Sequence, residues 1–461
     1  MKFKQFYLGC LSHASYYLGS GSEAVIIDPQ RDIQQYLDEA ELHQQRIIYV
    51  IETHSHADFV SGHLELAAKT GAKIIYGQRA DTTFPTHKVK DGDEIAIGDV
   101  SLKFFETPGH TPEGITILAR ETGNDSAPAK LFTGDTLFIG DVGRPDLIGS
   151  AGYTAEDMGG MLYDSLHDKI LPLPDNTEIY PAHGAGSLCG KSLSKETWST
   201  LGEQKKNNYA LQPMTKEEFI EIVASDQPSV PAYFASSAAQ NLHGSLSLED
   251  IPKPTLLNTD DITNFDGIVL DVRPGADFGA AHIPNAVNIG LGGQFATWAG
   301  TLISIGTPVA VAAETKEQVA EAFTRLARVG IETVKGYMLM KDFRGKTRTV
   351  KQVTPVQAQA AIDREETQFI DVRNLAEHAA GHAVSTINLP LNSLSREIDR
   401  LDPEKPTYVI CQSGYRSSIA TSLLENAGFK NIYNVTGGTK SWTEDNLETE
   451  VSASACTTDL K

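Results

Sequence analysis

At 461 residues the chain is too long for one hydrophobic core, so two to four domains are expected. Its 60 acidic side chains outnumber 39 basic ones, and a formal charge of -21 repels nucleic acid and anionic membranes, which excludes both as main partners. Small anions must be drawn in by local features.

The N-terminal stretch MKFKQFYLGCLSHASYYLGSG has no unbroken apolar run followed by a small-residue cleavage site, and no spanning-length apolar segment follows it. A cytoplasmic protein is expected. Cys10, Cys189, Cys411 and Cys456 are too few and too scattered to staple the chain, which points to a reducing compartment and to thiols kept for chemistry. The first half then alternates β-rich runs with polar turns: EAVIIDP, RIIYVIETH, AKIIYG, VSLKFFETPGH, KLFTGD and EIYPAHG. Helical stretches, DIQQYLDEAELHQQ and SGHLELAAKTG, separate several of them. Four of these strands end on a polar residue, Asp28, His54, His110 and Asp135, where an α/β sandwich places a site. From Trp198 to Pro254 the pattern loosens into Pro-containing helical text, read as the end of the first domain and a linker.

Beyond the linker lies an internal repeat. IVLDVRPGADFGAAHIPNAVNI, from Ile268, matches QFIDVRNLAEHAAGHAVSTINL, from Gln368, at an offset of 100 residues, pairing Asp271/Asp371, Arg273/Arg373, His282/His382 and Asn288/Asn388. The expected domains are 1–253, 254–350 and 351–450, with 451–461 a mobile tail.

His54, His56 and Asp58 alternate on a loop directly after an apolar strand; His110 follows in TPGHT, Asp135 in TGDTLF and His183 in YPAHG. Imidazoles and carboxylates gathered from separate strand ends make a metal site. This HxHxD pattern with the later His, Asp and His in order resembles the metallo-β-lactamase fold over roughly the first 250 residues. The resemblance implies an αββα sandwich with the metal at the edge between two sheets. Many hydrolytic members, glyoxalase II among them, carry His after that Asp and hold two zinc ions. Here the residue is Phe59, whose ring has no lone pair to donate. Either the chain holds one metal, or Phe59 packs while Asp58 and His183 keep a weaker second ion.

One metal fits the persulfide dioxygenase branch, which the chain also resembles in GRPDL, Gly143 to Leu147, and in the GAGS segment after His183. That resemblance implies Fe(II), with zinc as a possible substitute, on His54, His110 and Asp135, and His56, Asp58 and His183 as neighbouring groups or alternative ligands. Two imidazoles and a carboxylate leave open positions for substrate and O₂. Gly184, Gly186 and Ser187 either cradle the anionic end of a thiol carrier or form a tight turn. Arg144 either orients substrate or makes a surface ion pair; Cys189 either approaches the metal or packs inertly.

In TYVICQSGYRSSIATSLLENAGF a strand ends at Cys411 and a helix is predicted to begin near Ser417. The CQSGYR loop directs amides and a helix N-terminus at the sulfur, which favours a thiolate or persulfide anion, and Arg416 adds positive charge. Cys-x-x-Gly-x-Arg with DVR upstream and GGTKSW downstream resembles rhodanese over Val353 to Leu447, with Asp371 and Arg373 structural. In the first repeat Ala313 stands opposite Cys411 and Gln318 opposite Arg416. That copy resembles an inactive rhodanese, since a methyl group cannot attack sulfur.

The whole order resembles the bacterial persulfide dioxygenase and rhodanese fusions. It implies a sulfide-detoxifying enzyme acting on a persulfide of glutathione, coenzyme A or bacillithiol, with O₂ and sulfite as further reactants and thiosulfate as product. A silent copy between two active domains fits a homo-oligomer. The competing expectation is a zinc thioester hydrolase of glyoxalase II type with appended rhodanese modules.

Overall fold

In the computed structural model, which describes residues 1–124, 126–147, 152–191, 193–225, 227, 230–362 and 366–452, the chain divides into two units. The first is Met1–Ile251 with Leu326–Gly330; the second is Pro252–Arg325 with Ile331–Lys461. Cys456 and the expected tail from residue 453 onward lie outside the described residues.

Among the described residues the first unit has two six-stranded sheets. One runs β1 (Lys2–Leu8), β2 (His13–Ser20), β3 (Glu23–Ile27), β4 (Arg46–Ile51), β5 (Lys73–Gly77) and β6 (His87–Val89) in spatial order, antiparallel up to β3 and parallel beyond. The other holds β7 (Glu94–Ile97), β8 (Val100–Glu106), β9 (Ile115–Glu121), β10 (Lys130–Gly134), β11 (Glu178–Pro181) and β12 (Ser199–Thr200), with β10 and β11 parallel and the remaining pairs antiparallel. Val, Ile and Tyr dominate β3 and β4 because both faces of those strands are covered.

Between the sheets Tyr16, Ile27, Ile51 and Ile75 meet Leu102, Phe104, Ile117 and Phe132. Helices Gln34–Leu42 and His63–Thr70 cover the outer face of the first sheet through Tyr36 and Leu66. Leu162, Leu201, Phe219 and Val223, from helices Ala155–Asp164, Leu201–Asn207 and Lys216–Ala224, cover the second. The result is the αββα sandwich. Two parallel strand pairs, β3–β4 and β10–β11, bring Asp28, His54, Asp135 and His183 out at one edge. Strands β1, β2, β6, β7, β9 and β12 had no counterpart among the predicted runs. In β2 all eight residues, HASYYLGS, are buried, so the strand shows no alternation to read.

The second unit contains two all-parallel five-stranded sheets. The first has spatial order β13 (Thr255–Leu256), β17 (Val334–Leu339), β16 (Val309–Ala313), β14 (Ile268–Asp271), β15 (Val287–Asn288). The second has β18 (Lys351–Val353), β23 (Ile432–Val435), β22 (Thr407–Ile410), β19 (Gln368–Asp371), β21 (Ile387–Asn388). A further pair, β20 (His382–Ala383) with β24 (Thr449–Glu450), is antiparallel. The repeated residues do the same work twice. Arg273 and Arg373 pair with Asp271 and Asp371 at 2.6 and 2.7 Å, and also bond the carbonyls of Ala281 and Gly381. Asn288 Nδ2 donates to Asp271 O and Arg273 O, as Asn388 Nδ2 does to Asp371 O and Arg373 O. These residues hold the turn after a central strand, and their recurrence reflects folding rather than catalysis.

Phe104 lies fully buried between the two sheets of the first unit. Replacing it by Ala should cost about 3–5 kcal/mol. Hydrogen exchange during thermal unfolding of the full chain should show β8 to β10 opening at lower temperature in the variant.

Candidate metal centre

Asp135 directly follows β10 and is 2% exposed. Its Oδ1 accepts from His183 Nδ1 at 2.8 Å, and its Oδ2 lies 3.3 Å from His110 Nε2 and 3.8 Å from His54 Nε2. That Oδ2 has no hydrogen-bond partner among the described residues. The tautomers of the two imidazoles are set from behind. Thr53 Oγ1 donates to Asp28 Oδ2 and therefore accepts from His54 Nδ1 at 3.0 Å; His110 Nδ1 donates to the Arg144 carbonyl at 2.9 Å. Each ring keeps its Nε2 lone pair for the interior. A buried carboxylate oxygen without a donor, facing two lone pairs, is what a divalent cation satisfies, so His54, His110 and Asp135 fit a metal ion. Burial alone would raise the Asp135 carboxyl, but His183 beside it holds it well below the ordinary carboxylate range.

His56, Asp58 and His183 form a second group of donors. His183 is engaged on both sides, by Asp135 and by Asp58 Oδ2 at 2.8 Å. Burial opposes its charge, yet the two carboxylates raise its pKa well above the ordinary value. His56 Nε2 lies 3.1 Å from Asp28 Oδ1 and 3.6 Å from Glu52 Oε2, and burial pushes the Glu52 carboxyl up to about 8. Phe59 is 1% exposed, its ring centroid 4.5 Å from that of His56 and 4.1 Å from that of His13. The position where the hydrolytic pattern has an imidazole ligand is thus filled by apolar packing.

Several expectations need correction. Arg144 is buried, not on the surface: its guanidinium pairs with Asp146 at 2.7 Å and donates to Leu188 O, while its backbone holds His110. Of the two readings of GAGS, the turn fits three of its amides: Gly184, Ala185 and Ser187 donate to the carbonyls of Ser12, Ser194 and Gly184. Gly186 sits within that turn at φ +99°, and Ser187 Oγ accepts from Cys189 N. Cys189 joins Asp135 and His183 as a nearby donor; burial, then Asp58 and Asp135, push its thiol well above the ordinary value. The segment read as a linker contributes to the centre. On helix Phe234–His243, buried Asn241 donates to His56 O and Phe59 O, both at 2.8 Å, and accepts from Ser61 N.

Other supporting residues escaped sequence reasoning. Glu113 Oε1 accepts from Ser55 N at 2.9 Å, tying the TPGHT loop to the residue between His54 and His56. His13 is wholly buried beside Phe59. Gly143 is the most constrained: a Cβ there would lie 2.0 Å from Asp135 O and 2.9 Å from His110 Nδ1. A spacing pattern that singles out donors has no signal for such contacts; the glycine before Arg144 was the available hint.

In the second unit Cys411 is buried at the end of β22, and Gly414 N donates to its Sγ at 3.2 Å. The helix Tyr415–Asn426 begins two residues earlier than expected because Gly414, at φ +94°, turns the chain directly into it. Arg416 makes a bidentate pair with Glu377, both contacts 2.7 Å, and also interacts electrostatically with Cys411. In the first copy Gln318 Oε1 accepts from Glu314 N at 2.8 Å, and the loop after Ala313 uses its own side chain where the second copy has sulfur.

Fold and site together define a metallo-β-lactamase-type metal centre joined to rhodanese-like domains. The model of the metallo-beta-lactamase superfamily matches residues 8–183, and that of the rhodanese-like domain matches 255–340 and 354–445. Over 217 residues the chain is 35% identical to the mitochondrial persulfide dioxygenase ETHE1 of Bos taurus, covering 45% of this chain and 75% of that one. With the cytoplasmic hydroxyacylglutathione hydrolase of Arabidopsis thaliana it shares 28% over 246 residues, 49% of this chain and 90% of that one. A solved metallo-beta-lactamase from Staphylococcus aureus subsp. aureus COL superposes with a TM-score of 0.68 at 34% identity, over 74% of this chain and 99% of that chain. The chain belongs to the persulfide dioxygenase family within the metallo-β-lactamase superfamily, extended by two rhodanese-like domains. Among the described residues no helix is long and apolar enough to cross a membrane.

Gly143→Ala should displace the Asp135 backbone and the His110 side chain and cut metal content well below that of the parent, measured by elemental analysis of protein loaded with iron without oxygen. Asn241→Ala strands two carbonyls and an amide, each at about 1–3 kcal/mol. It should lower both metal retention and melting temperature.

Proposed function

We propose that the first unit oxidises a low-molecular-weight thiol persulfide with O₂ at a single iron, and that the second transfers sulfane sulfur through Cys411. The overall reaction of the first is RSSH + O₂ + H₂O giving RSH, sulfite and two protons. The observation that carries the one-metal reading is Phe59, packed where a second-metal ligand would stand. His54, His110 and Asp135 would hold the iron, and bound there it supplies the redox chemistry that lets O₂ react with sulfur.

The surrounding residues keep that donor set in register. Thr53 and the Arg144 carbonyl fix the two ring orientations, Gly143 permits the close approach, and Asn241 pins the loop that carries His56 and Phe59. The likeness to a persulfide dioxygenase supports the substrate class. The competing zinc hydrolase is favoured by the likeness to hydroxyacylglutathione hydrolase and opposed by Phe59.

In the second unit the Gly414 amide and the start of a 12-residue helix face the Cys411 sulfur, which stabilises an anion there. The Cys411 thiolate takes the outer sulfur of RSSH, the S–S bond of the donor breaks, and RS⁻ leaves. Sulfite then takes that sulfur from the Cys411 persulfide, giving thiosulfate and the free thiol. No external oxidant or reductant is needed, and tethering raises the local sulfite concentration.

Iron-loaded protein given glutathione persulfide should consume O₂ and release sulfite, with thiosulfate accumulating when excess persulfide is present. Thioester hydrolysis without oxygen uptake would replace this reading with the hydrolase. Cys411→Ser should abolish thiosulfate formation and leave O₂ uptake intact. Phe59→His should move metal content from one toward two ions per chain.

A further inference from the structure

The helix that follows the Cys411 loop is unusual in its surroundings. Residues Ser417 to Ser422, nearly two full turns, are all buried, although a helix on an α/β sheet ordinarily buries one face. Four of these six carry hydroxyls; Thr421 and Ser422 donate theirs to Ser418 O and Ile419 O within the helix, while Ser418 reaches outside it. The cysteine-free copy covers the second face. Ser418 Oγ donates to Asn288 Oδ1 at 2.6 Å, and Asn288 N donates to Ser422 Oγ at 3.1 Å. Gly275 presents bare backbone, since a Cβ there would stand 2.6 Å from Ser418 Oγ. Asn388, the partner of Asn288 in the repeat, keeps the local bonds to its own turn, so the bonds to the helix are an addition specific to the first copy.

The same copy reaches the loop itself. Tyr415 lies between Gly414, whose amide bonds the sulfur, and Arg416; its hydroxyl donates to Gly290 O at 2.8 Å. The turn beyond Gly290 is clamped. Arg325, 7% exposed, donates through Nη1 to Leu291 O at 2.6 Å and through Nη2 to Gly293 O at 3.1 Å, with its guanidinium over the Phe295 ring. Gly293, at φ +80°, leaves room for the Tyr415 ring, which a Cβ would touch at 3.5 Å.

We propose that the cysteine-free copy is the positioning half of the sulfur-transfer site: its Gly290–Gln294 turn, clamped by Arg325, anchors Tyr415 and so aims the loop amides at Cys411. The proposal rests on the sulfur-transfer reading of Cys411. Tyr415 and Arg325 act through the loop and touch no reactant. Their loss should slow the transfer step and leave sulfite binding alone.

The test uses full-length protein with Tyr415→Phe, which removes one hydroxyl, and Arg325→Met, with Arg325→Lys as the conservative comparison. The expected result is a fall of about tenfold in kcat for thiosulfate formation with little change in KM for sulfite, from the loss of one or two hydrogen bonds. Arg325→Lys should recover part of the loss. Hydrogen exchange at residues 411–418 should quicken in Tyr415→Phe and Arg325→Met, while O₂ uptake by the first unit stays at the parent value. Unchanged kcat together with unchanged exchange in both variants would overturn the proposal. If the parent makes no thiosulfate, the sulfur-transfer reading falls by itself, and exchange at the loop still decides whether the cysteine-free copy positions it.

Discussion

Everything in the first unit is arranged around the Asp135 carboxylate. A buried carboxylate costs several kcal/mol unless it is compensated, of the order of what a whole domain has to spare. One oxygen is met by His183 and the other faces the lone pairs of His54 and His110 without a donor. The chain therefore places at the junction of two sheets a carboxylate oxygen that no donor among the described residues satisfies. Thr53, Glu113, Gly143 and Asn241 then serve one end: they stop the loops from relaxing into an arrangement in which that oxygen finds a protein partner.

Phe59 separates this centre from its hydrolytic relatives through packing. Its ring lies against His13 and His56, where the hydrolytic pattern has an imidazole. The second unit presents a different electrostatic device. There the Cys411 sulfur is faced by a backbone amide and a helix start, and Arg416 pairs with Glu377.

Much of this was legible in the residue order. Strand ends carrying Asp28, His54, His110 and Asp135 announced an α/β edge site, since β-rich runs ending in donors leave little else to build. The 100-residue repeat announced two copies of one domain, and Ala313 against Cys411 distinguished the copy that carries the cysteine. Arg144, the GAGS turn and Arg416 were read less well. Each carries a charge or an amide that suits a ligand, and in each case the chain itself supplies the partner: Asp146, the carbonyls of Ser12, Ser194 and Gly184, and Glu377. A one-dimensional pattern cannot say whether a donor is already spent.

The sequence alone determined the donor types, their order and the missing imidazole at residue 59, because these are properties of side chains and of strand periodicity. Tertiary structure decided what those donors face. Asn241 reaches the loop of His56 and Phe59 across 182 residues or more, and Asn288 reaches Ser418 across 130. Such contacts depend on how sheets twist and pack, and no local spacing encodes them.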